Sequence, residues 1–292
     1  MSPYDTLLRE ADGRPFAAIV GWPVDHSRSP TIHRYWLKEL GISGSYERFA
    51  VPPGEFREFA AAIGKDGLVG ANVTVPHKET AFAVCDRRTP VAEALGAVNT
   101  LWREDGRLMG DNTDVAGFLA NMDESAPGWG TRGKTAAVIG AGGAARAIVH
   151  ALISRGFQRI AIANRTQARA ETLAAHFGDP ATAISWADLA AELPKADLLV
   201  NASSLGMAGQ PPLAVDLGAL PERAVVADAV YVPLRTPLIE SARMRGLRSV
   251  EGLGMLLHQA APAFARWFGQ RPRVTPELRA LVEAEVLEEA AR

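Results

Sequence analysis

The sequence lacks the residues that disulfides and most metal sites need. It has 292 residues but a single cysteine, Cys85, which excludes an internal disulfide and any metal site built from several thiolates. Its 6 histidines show no HExxH pair and no other close metal-ligand spacing. We therefore expect neither a structural nor a catalytic metal.

The sequence also lacks an excess of charge and a long apolar run. Its 31 lysines and arginines face 33 aspartates and glutamates, so nothing predicts binding to nucleic acid or to an anionic membrane. The N-terminal segment carries acidic residues early, unlike a signal peptide or a membrane anchor. We expect a soluble cytoplasmic protein, a monomer or homodimer, whose partner is a small-molecule substrate, with no nucleic acid and no membrane partner.

What the sequence does have is enough apolar residues for a substantial core. Hydrophobic residues make up 48% of the chain, and its length predicts roughly two domains. In the first part, apolar runs that predict strands alternate with helical patterns. The strands are predicted at 16–20, 45–51 and 70–75, and the helices at 30–40, 53–63 and around 91–95. This alternation is typical of an α/β domain with a mainly parallel sheet.

A second α/β system follows the segment 126–133, whose three glycines and one proline suggest a joint between domains. Strands are predicted at 135–139, 159–163, 197–201 and 224–229. A helix is predicted at 146–154, a second at 255–267, and a last one from Pro276 onward. The fold class is therefore α/β throughout.

The segment Gly140-Ala-Gly-Gly-Ala-Ala145 lies between a predicted strand and a predicted helix, the context in which a glycine-rich turn binds a dinucleotide. Gly140 permits the tight turn, Gly142 lets the backbone approach a pyrophosphate, and Ala145 allows close packing of helix on strand. The free N–H groups of the helix N-terminus would face the phosphates. The alternative is a turn whose glycines serve backbone freedom alone.

The residues after the second strand of this system predict which dinucleotide binds. Enzymes that use NAD usually carry an acidic residue there, but this chain has Asn164, Arg165, Thr166 and then Arg169. Two guanidinium groups without a carboxylate favour a 2′-phosphate, which predicts NADP. The alternative is that both arginines are ordinary exposed helix residues.

Several polar residues stand where predicted strands end, which is where ligands bind in open α/β sheets. They are Ser27, Ser29, Asn72, Thr74, Lys78, Asn99 and Asp114. Each also has an ordinary structural explanation. Ser29 could cap the helix that contains Pro30, and Thr113 or Asp114 could cap a helix that starts at Val115. Lys78 could be a solvated lysine, and Asn99 a turn residue.

Together, these residues and several further motifs resemble the shikimate dehydrogenase family from end to end. The matching stretches are Gly21-Trp-Pro-Val-Asp-His-Ser-Arg-Ser-Pro30, Asn72-Val-Thr-Val-Pro-His-Lys78, Gly96-Ala-Val-Asn-Thr100, Asp111-Asn-Thr-Asp114, Gly140 to Arg146, Asn164-Arg-Thr166, Asn201 to Met207, Tyr231 with Pro233, and Gly252-Leu-Gly-Met-Leu-Leu-His-Gln259. The resemblance implies a substrate-binding catalytic domain at 1–115 and 252–292. It further implies a Rossmann-like NADP-binding domain at 116–251, with the substrate in the cleft between them.

The resemblance also implies roles for individual residues. Ser27 and Ser29 would bind the substrate carboxylate, with Tyr231 nearby. Thr74, Asn99 and Asp114 would bind ring hydroxyls, Asn72 would support the site, and Gln259 would reach it from the C-terminal helix. Lys78 and Asp114 would be the catalytic pair. The residues around the cofactor would be Gly140, Ala141, Gly142, Gly143, Ala144, Asn164, Arg165, Thr166, Arg169, Ser203, Gly252 and Met255.

The implied activity is the reversible, NADPH-dependent reduction of 3-dehydroshikimate to shikimate, a step toward chorismate and the aromatic amino acids. One alternative is a quinate/shikimate dehydrogenase that works oxidatively; the paired serines and the arginines favour shikimate and NADP. Another is a non-catalytic sensor that binds shikimate-like ligands. Such a protein should have lost the Lys78/Asp114 pair or the glycine turn, and this chain has both.

Overall fold

The computed structural model describes residues 14–131 and 134–290, with side chains as far as Glu288. These residues form two compact units. The first contains the described residues up to Thr113 together with Gln259–Val282; the second contains Asp114–His258 together with the described residues from Glu283 on. The domain borders that the resemblance implies, 115/116 and 251/252, stay predictions. The segment 126–131 lies inside the second unit, so the joint predicted there does not separate the two units.

The first unit is built on a mixed sheet of six strands in the order β2-β1-β3-β5-β6-β4. The strands are β1 (Phe16–Gly21), β2 (Ser45–Ala50), β3 (Leu68–Val73), β4 (Arg87–Arg88), β5 (Thr100–Glu104) and β6 (Arg107–Asp111). β1 runs parallel to β2 and β3, whereas β5 is antiparallel to both β3 and β6. All six residues of β1 are buried, as expected for a strand with parallel neighbours and a covered face on each side.

Helices and side chains cover both faces of this sheet. The helices are α1 (Ser29–Glu39), α2 (Phe56–Ala62), α3 (Lys78–Val84) and α4 (Pro90–Leu95), joined by the later part of α10 (Leu253–Phe268) and the start of α11 (Pro276–Ala290). One face buries a cluster of phenylalanines and aliphatic residues, and the other buries Tyr46, Trp102 and Trp267. Trp267 also donates from its indole N–H to the Leu101 carbonyl at 3.0 Å, which ties α10 to β5.

The second unit contains a fully parallel sheet in the order β12-β11-β10-β7-β8-β9. Its strands are β7 (Thr135–Ile139), β8 (Arg159–Ala163), β9 (Ala181–Ile184), β10 (Leu198–Asn201), β11 (Val225–Asp228) and β12 (Arg248–Val250). Its helices are α5 (Asp114–Ser125), α6 (Gly143–Ser154), α7 (Gln167–Phe177), α8 (Leu189–Glu192) and α9 (Pro237–Met244), with the start of α10. The strand order reverses between β7 and β10, which is the switch point of a doubly wound, Rossmann-like sheet.

Some of the predicted elements have the bounds that the structure shows, and others differ by a few residues. β7 and β8 have the predicted bounds. The helix predicted at 53–63 is divided into a short 3-10 turn, Pro53–Glu55, followed by α2. The helix predicted to begin at 146 begins at Gly143. Among the described residues, no helix has the length and apolarity that crossing a membrane requires.

Candidate active site

Asn72, near the end of β3, is buried and fully engaged by neighbouring residues. Its Nδ2 donates to the Asn99 carbonyl and to Thr100 Oγ1, both at 3.3 Å. Its Oδ1 accepts from the Tyr46 hydroxyl at 2.7 Å. Both ends of the amide therefore have protein partners, and the supporting role of Asn72 in the site stays a prediction.

Asn99 is the centre of a second hydrogen-bonded group in the first unit. Its Oδ1 accepts from the Thr113 backbone N–H at 2.8 Å, from the Thr113 hydroxyl at 3.2 Å and from the Thr100 hydroxyl at 2.9 Å. The Thr113 hydroxyl also lies 3.3 Å from Gln259 Oε1. Gln259 therefore joins the polar group at the end of the sheet although it is 146 residues beyond Thr113. Thr113 was predicted only as a possible helix cap.

The two serines occupy the loop after β1 and the first turn of α1. The Ser29 backbone N–H donates to Ser27 Oγ at 3.3 Å, and the Ser27 N–H donates to the Val24 carbonyl at 3.0 Å. α1 begins at Ser29 itself, with Arg28 in the cap position and no side-chain capping bond. The alternative explanation of Ser29 as a helix cap is therefore wrong.

Lys78 is the first residue of α3 and is half-buried, unlike a freely solvated lysine. Its carbonyl accepts from the Val98 N–H at 3.0 Å, which fixes its backbone beside the residue that precedes Asn99. His77 anchors the same turn, because its Nε2 lies 2.7 Å from the Val51 carbonyl and its ring stacks on Phe56. Burial is the main cause that lowers the pKa of His77 below its ordinary value.

Thr74 stands between these groups. Its backbone N–H donates to the Val20 carbonyl at 2.9 Å, and its methyl group lies so close to Gly21 that a Cβ there would approach it to 2.5 Å. The first unit therefore places all its predicted residues around the carboxyl ends of β1 and β3. They are Ser27, Ser29, Asn72, Thr74, Lys78, Asn99 and Gln259.

Asp114 belongs to the second unit, where it is half-buried and is the first residue of α5. It follows directly on Thr113, the residue whose backbone N–H and hydroxyl are bound by Asn99. Its position in the first turn of a helix favours a carboxylate, because the positive end of the helix dipole lies there.

Two glycines of the turn in the second unit, Gly140 and Gly142, are required for different reasons. Gly140 has φ +117°, and a Cβ on it would lie 2.8 Å from the Ala202 carbonyl, so close approach of β7 and β10 requires glycine. Gly142 faces open space, with nothing within 4 Å of an added Cβ. It precedes α6, a helix of 12 residues with no side-chain cap. The exposed glycines and uncapped N–H groups fit a bound pyrophosphate.

The residues after β8 also fit the predicted ligand. Arg165 and Arg169 are exposed, and neither side chain forms a hydrogen bond or ion pair with another described residue. Asn164 turns its Nδ2 to the Thr166 carbonyl at 2.9 Å and so shapes the turn. Two uncompensated guanidinium groups beside the glycine turn suit the 2′-phosphate of NADP and would not suit a ribose hydroxyl alone.

A buried polar network after β10 and β11 is a feature that the sequence reasoning missed. Asn201 Nδ2 donates to the Leu205 carbonyl and to Asp228 Oδ1, both at 2.9 Å. Asn201 Oδ1 accepts from the Ser203 N–H at 3.0 Å and from its hydroxyl at 2.7 Å. Asp228 also accepts from the Thr236 hydroxyl at 2.6 Å. The polar residues that end the apolar runs 197–201 and 224–228 were the available signal.

This network fixes the two loops that carry other predicted residues. Burial raises the pKa of Asp228 to about 6, against the opposing effect of its hydrogen bonds from Thr236, Val230 and Asn201. Tyr231 is half-buried in the loop that follows. Gly252 packs against the same loop so closely that a Cβ would lie 2.5 Å from the Val230 carbonyl. Met255, half-buried in α10, donates its N–H to the Gly252 carbonyl at 3.0 Å.

Within the described ranges 14–131 and 134–290, no group of three or more histidine, cysteine or acidic side chains could hold a metal ion. The predicted site residues offer a lysine, a carboxylate, hydroxyl and amide groups, and a dinucleotide-binding turn.

Three family models match successive parts of the chain. The "Shikimate dehydrogenase substrate binding domain" matches residues 19–101, "Shikimate / quinate 5-dehydrogenase" matches 124–207, and "Shikimate 5'-dehydrogenase C-terminal domain" matches 252–281. The chain is 61% identical over 272 residues to a protein of Methylocella silvestris named shikimate dehydrogenase (NADP(+)), covering 93% of this chain and 97% of that one. A protein of the same name from Azorhizobium caulinodans is 55% identical over 269 residues, covering 92% and 96%.

Two solved structures of related enzymes are similar to this structure over nearly the whole chain. Shikimate 5-dehydrogenase from Thermus thermophilus, in complex with NADP(H) and shikimate, is 36% identical with a TM-score of 0.78, covering 94% of this chain and 99% of that one. Quinate dehydrogenase from Corynebacterium glutamicum, in complex with NAD, is 30% identical with a TM-score of 0.83, covering 93% and 99%.

Proposed function

This chain belongs to the shikimate dehydrogenase family, and on that premise we propose that it catalyses the reversible, NADPH-dependent reduction of 3-dehydroshikimate to shikimate. The observation that carries this function is the identity above one half, over almost the full length, to relatives that bear the name shikimate dehydrogenase (NADP(+)). The reaction is an oxidoreduction at a secondary alcohol, and it belongs to the biosynthesis of aromatic amino acids.

The cofactor is NADP. The names of the curated relatives include NADP(+). The glycine turn fits the pyrophosphate of this cofactor, and Arg165 and Arg169 fit its 2′-phosphate. Gly142, Gly143 and the start of α6 would hold the pyrophosphate, and the two arginines would pair with the 2′-phosphate. Ala141, Ala144, Asn164, Thr166 and Ser203 would complete the surroundings, with Gly252 and Met255 beside the nicotinamide.

The proposed substrate site uses hydroxyl and amide groups together with the carboxylate of Asp114. Ser27 and Ser29 would bind the carboxylate, with Tyr231 close to it. Thr74, Asn99 and Asp114 would bind the ring hydroxyls, and Gln259 would add a further polar contact. What supports Asn99 in this role is the orientation of its amide, whose oxygen is held by Thr100 and Thr113.

Lys78 and Asp114 form the proposed catalytic pair. The bound cofactor supplies the hydride, so the protein has to orient the ketone and to stabilise the charge that develops on its oxygen. The Lys78 ammonium would donate a hydrogen bond to that oxygen, which stabilises the negative charge and provides a path for the proton. Asp114 would hold Lys78 and a substrate hydroxyl in position. The fixed backbone at Lys78 supports this role, because small displacements are costly in hydride transfer.

Replacement of Lys78 tests the catalytic assignment. We expect Lys78→Ala to lower kcat by a factor of about 100 or more, the usual size of a lost acid–base group, while the KM for shikimate changes far less. Lys38→Ala, which removes an exposed lysine in the last turn of α1, is the matched control and should keep both constants. A large rise in KM with unchanged kcat would make Lys78 a binding residue only.

Rates with shikimate and quinate, each with NADP and NAD, test the whole proposal. Shikimate with NADP should have the highest kcat/KM of the four pairs. Quinate carries an additional hydroxyl on the carbon that bears the carboxylate, so it needs more room beside Ser27 and Ser29. A higher kcat/KM for quinate with NAD would replace this proposal by the oxidative alternative. The monomeric or homodimeric state stays a prediction, which sedimentation of the purified protein tests.

A further inference from the structure

Arg48, near the end of β2, fixes the loop that carries the two serines. Its Nη2 donates to the Ser27 carbonyl at 2.7 Å, and its Nε donates to the same oxygen at 3.3 Å. The side chain itself is exposed. A single carbonyl that accepts two bonds from one guanidinium group is held in direction as well as in distance. The Ser27 backbone therefore depends on a residue 21 positions later in the chain.

The positive charge of Arg48 is not neutralised by a neighbouring acid. Glu47 precedes it, but Glu47 is bound by Arg34 at 2.7 Å, and side chains at successive strand positions point to opposite faces of the sheet. Arg48 forms no ion pair with any acid in the part of the chain that the structure describes. Its charge is therefore available to whatever binds beside Ser27.

The side chain of Arg48 lies on the same face of the sheet as Tyr46 and Asn72. Tyr46, two residues earlier and on the same face, donates to Asn72. Burial raises the pKa of Tyr46 well above its ordinary value, and a hydrogen bond with Ser29 and the charge of Arg48 both oppose that shift. Ser29, Tyr46 and Arg48 thus share one electrostatic environment, although Arg48 is on the exposed side of it.

We propose that Arg48 is a positioning residue of the substrate site, which holds Ser27 through its carbonyl and supplies the positive charge that two neutral serine hydroxyls lack when they bind a carboxylate. This inference rests on the proposed function, because it takes the substrate to be a carboxylate anion. A serine pair alone would bind a neutral group almost as well. An uncompensated guanidinium group next to it makes the site selective for an anion.

Substitution of Arg48 with methionine and with lysine separates charge from loop geometry. Both variants lose the forked hydrogen bond, but Arg48→Lys keeps the charge. We expect Arg48→Met to raise the KM for shikimate about tenfold, the size of one lost interaction with a charged group, with kcat changed less than about threefold. In Arg48→Lys, the KM for shikimate should return most of the way to the wild-type value. Shikimate methyl ester, which has no negative charge, should respond to Arg48→Met only through the altered loop, so its KM should rise less than that of shikimate.

Arg34→Met is the matched control. Arg34 also donates to a backbone carbonyl, that of Tyr46 at 3.0 Å, but its charge is paired with the carboxylate of Glu47. Its KM for shikimate should equal that of wild type. Added salt should raise the KM of wild type more than that of Arg48→Met, since ions screen exposed charges. Urea unfolding of each variant shows that the fold is retained.

Several outcomes would overturn the inference. An unchanged KM in Arg48→Met, a fall in kcat alone, or equal losses with shikimate and its methyl ester would each do so. If wild type itself fails to oxidise shikimate with NADP, the proposed function fails and takes this inference with it. If wild type is active and Arg48→Met matches it, the inference about Arg48 fails alone.

Discussion

Alanine at Gly140 should destabilise the second unit severely. The backbone at Gly140 has φ +117°, where side chains other than glycine are strained, and a Cβ there would lie 2.8 Å from both the carbonyl carbon and the oxygen of Ala202 and 2.9 Å from the Ser203 nitrogen. These atoms belong to the backbone, so no rotamer change relieves the contact. Strain at such a φ costs about 1–3 kcal/mol, and overpacking costs about 1–3 kcal/mol more. The expected loss is therefore about 2–6 kcal/mol.

Gly142→Ala is the matched control two residues away. Nothing lies within 4 Å of its added Cβ, and its φ of −95° suits any residue. Its free energy of unfolding should therefore change by less than about 1 kcal/mol. The methyl group would, however, stand on the surface where we place the pyrophosphate, so the KM for NADPH should rise several-fold.

Urea unfolding followed by circular dichroism measures the first effect, and steady-state kinetics with varied NADPH measures the second. Gly140→Ala should shift the unfolding transition to lower urea, and Gly142→Ala should leave it in place. If Gly140→Ala unfolds like wild type, the close contact of β7 with β10 is not the reason for glycine at this position. If Gly142→Ala leaves NADPH binding unchanged, the pyrophosphate assignment is refuted.

Three further predictions concern charge. Arg165→Ala should weaken NADPH about tenfold or more and spare NADH, because only NADPH carries the 2′-phosphate; equal losses in the two values of kcat/KM would refute the assignment. Burial raises the pKa of Asp228 from 3.8 to about 6. The contribution of Asp228 to the free energy of unfolding is therefore fully present below pH 3.8 and is lost as the pH rises to 6. Relative to Asp228→Asn, wild type should lose about 3 kcal/mol across that window; a constant difference in unfolding free energy would contradict this. Burial lowers the pKa of His33 from 6.5 to about 3. The contribution of His33 to the free energy of unfolding is therefore fully present above pH 6.5 and is lost as the pH falls toward 3. Relative to His33→Phe, wild type should lose about 5 kcal/mol on acidification, measured by the same unfolding assay.

The sequence predicts the central strands better than the edges of the sheets. β1, β7 and β8 are continuous apolar runs, because strands buried on both faces need no polar side. β4, β9 and β12 have only two to four residues and lie at the sheet edges, where no buried apolar run marks them. The antiparallel pair β5 and β6 was also missed. Its turn residues, Asp105 and Gly106, both have positive φ, and Asp-Gly between strands was the signal that could have revealed it.

Residues at strand ends are predictable from sequence, but their hydrogen-bond partners are not. The sequence points to Asn72 and Asn99, since Asn72 lies near the end of a predicted strand and Asn99 follows a predicted helix. It cannot point to Tyr46, whose hydroxyl reaches Asn72 across 26 positions only because β1 pairs with β2 on one side and β3 on the other. The same limit explains why Arg48 was missed. Its partner is a backbone carbonyl, which leaves no trace in residue identity.

Both units hold loops at the carboxyl end of a sheet with a buried asparagine, whose side chain can donate and accept hydrogen bonds at once. Asn72 near the end of β3 and Asn201 at the end of β10 each use both ends of a buried amide, donating to a backbone carbonyl and accepting from a hydroxyl. Aspartate has the same shape but donates nothing when ionised. At position 201 it would leave the Leu205 carbonyl without its donor and face the carboxylate of Asp228 in a buried site, where like charges repel strongly. Asparagine is therefore the residue that the geometry demands at both strand ends.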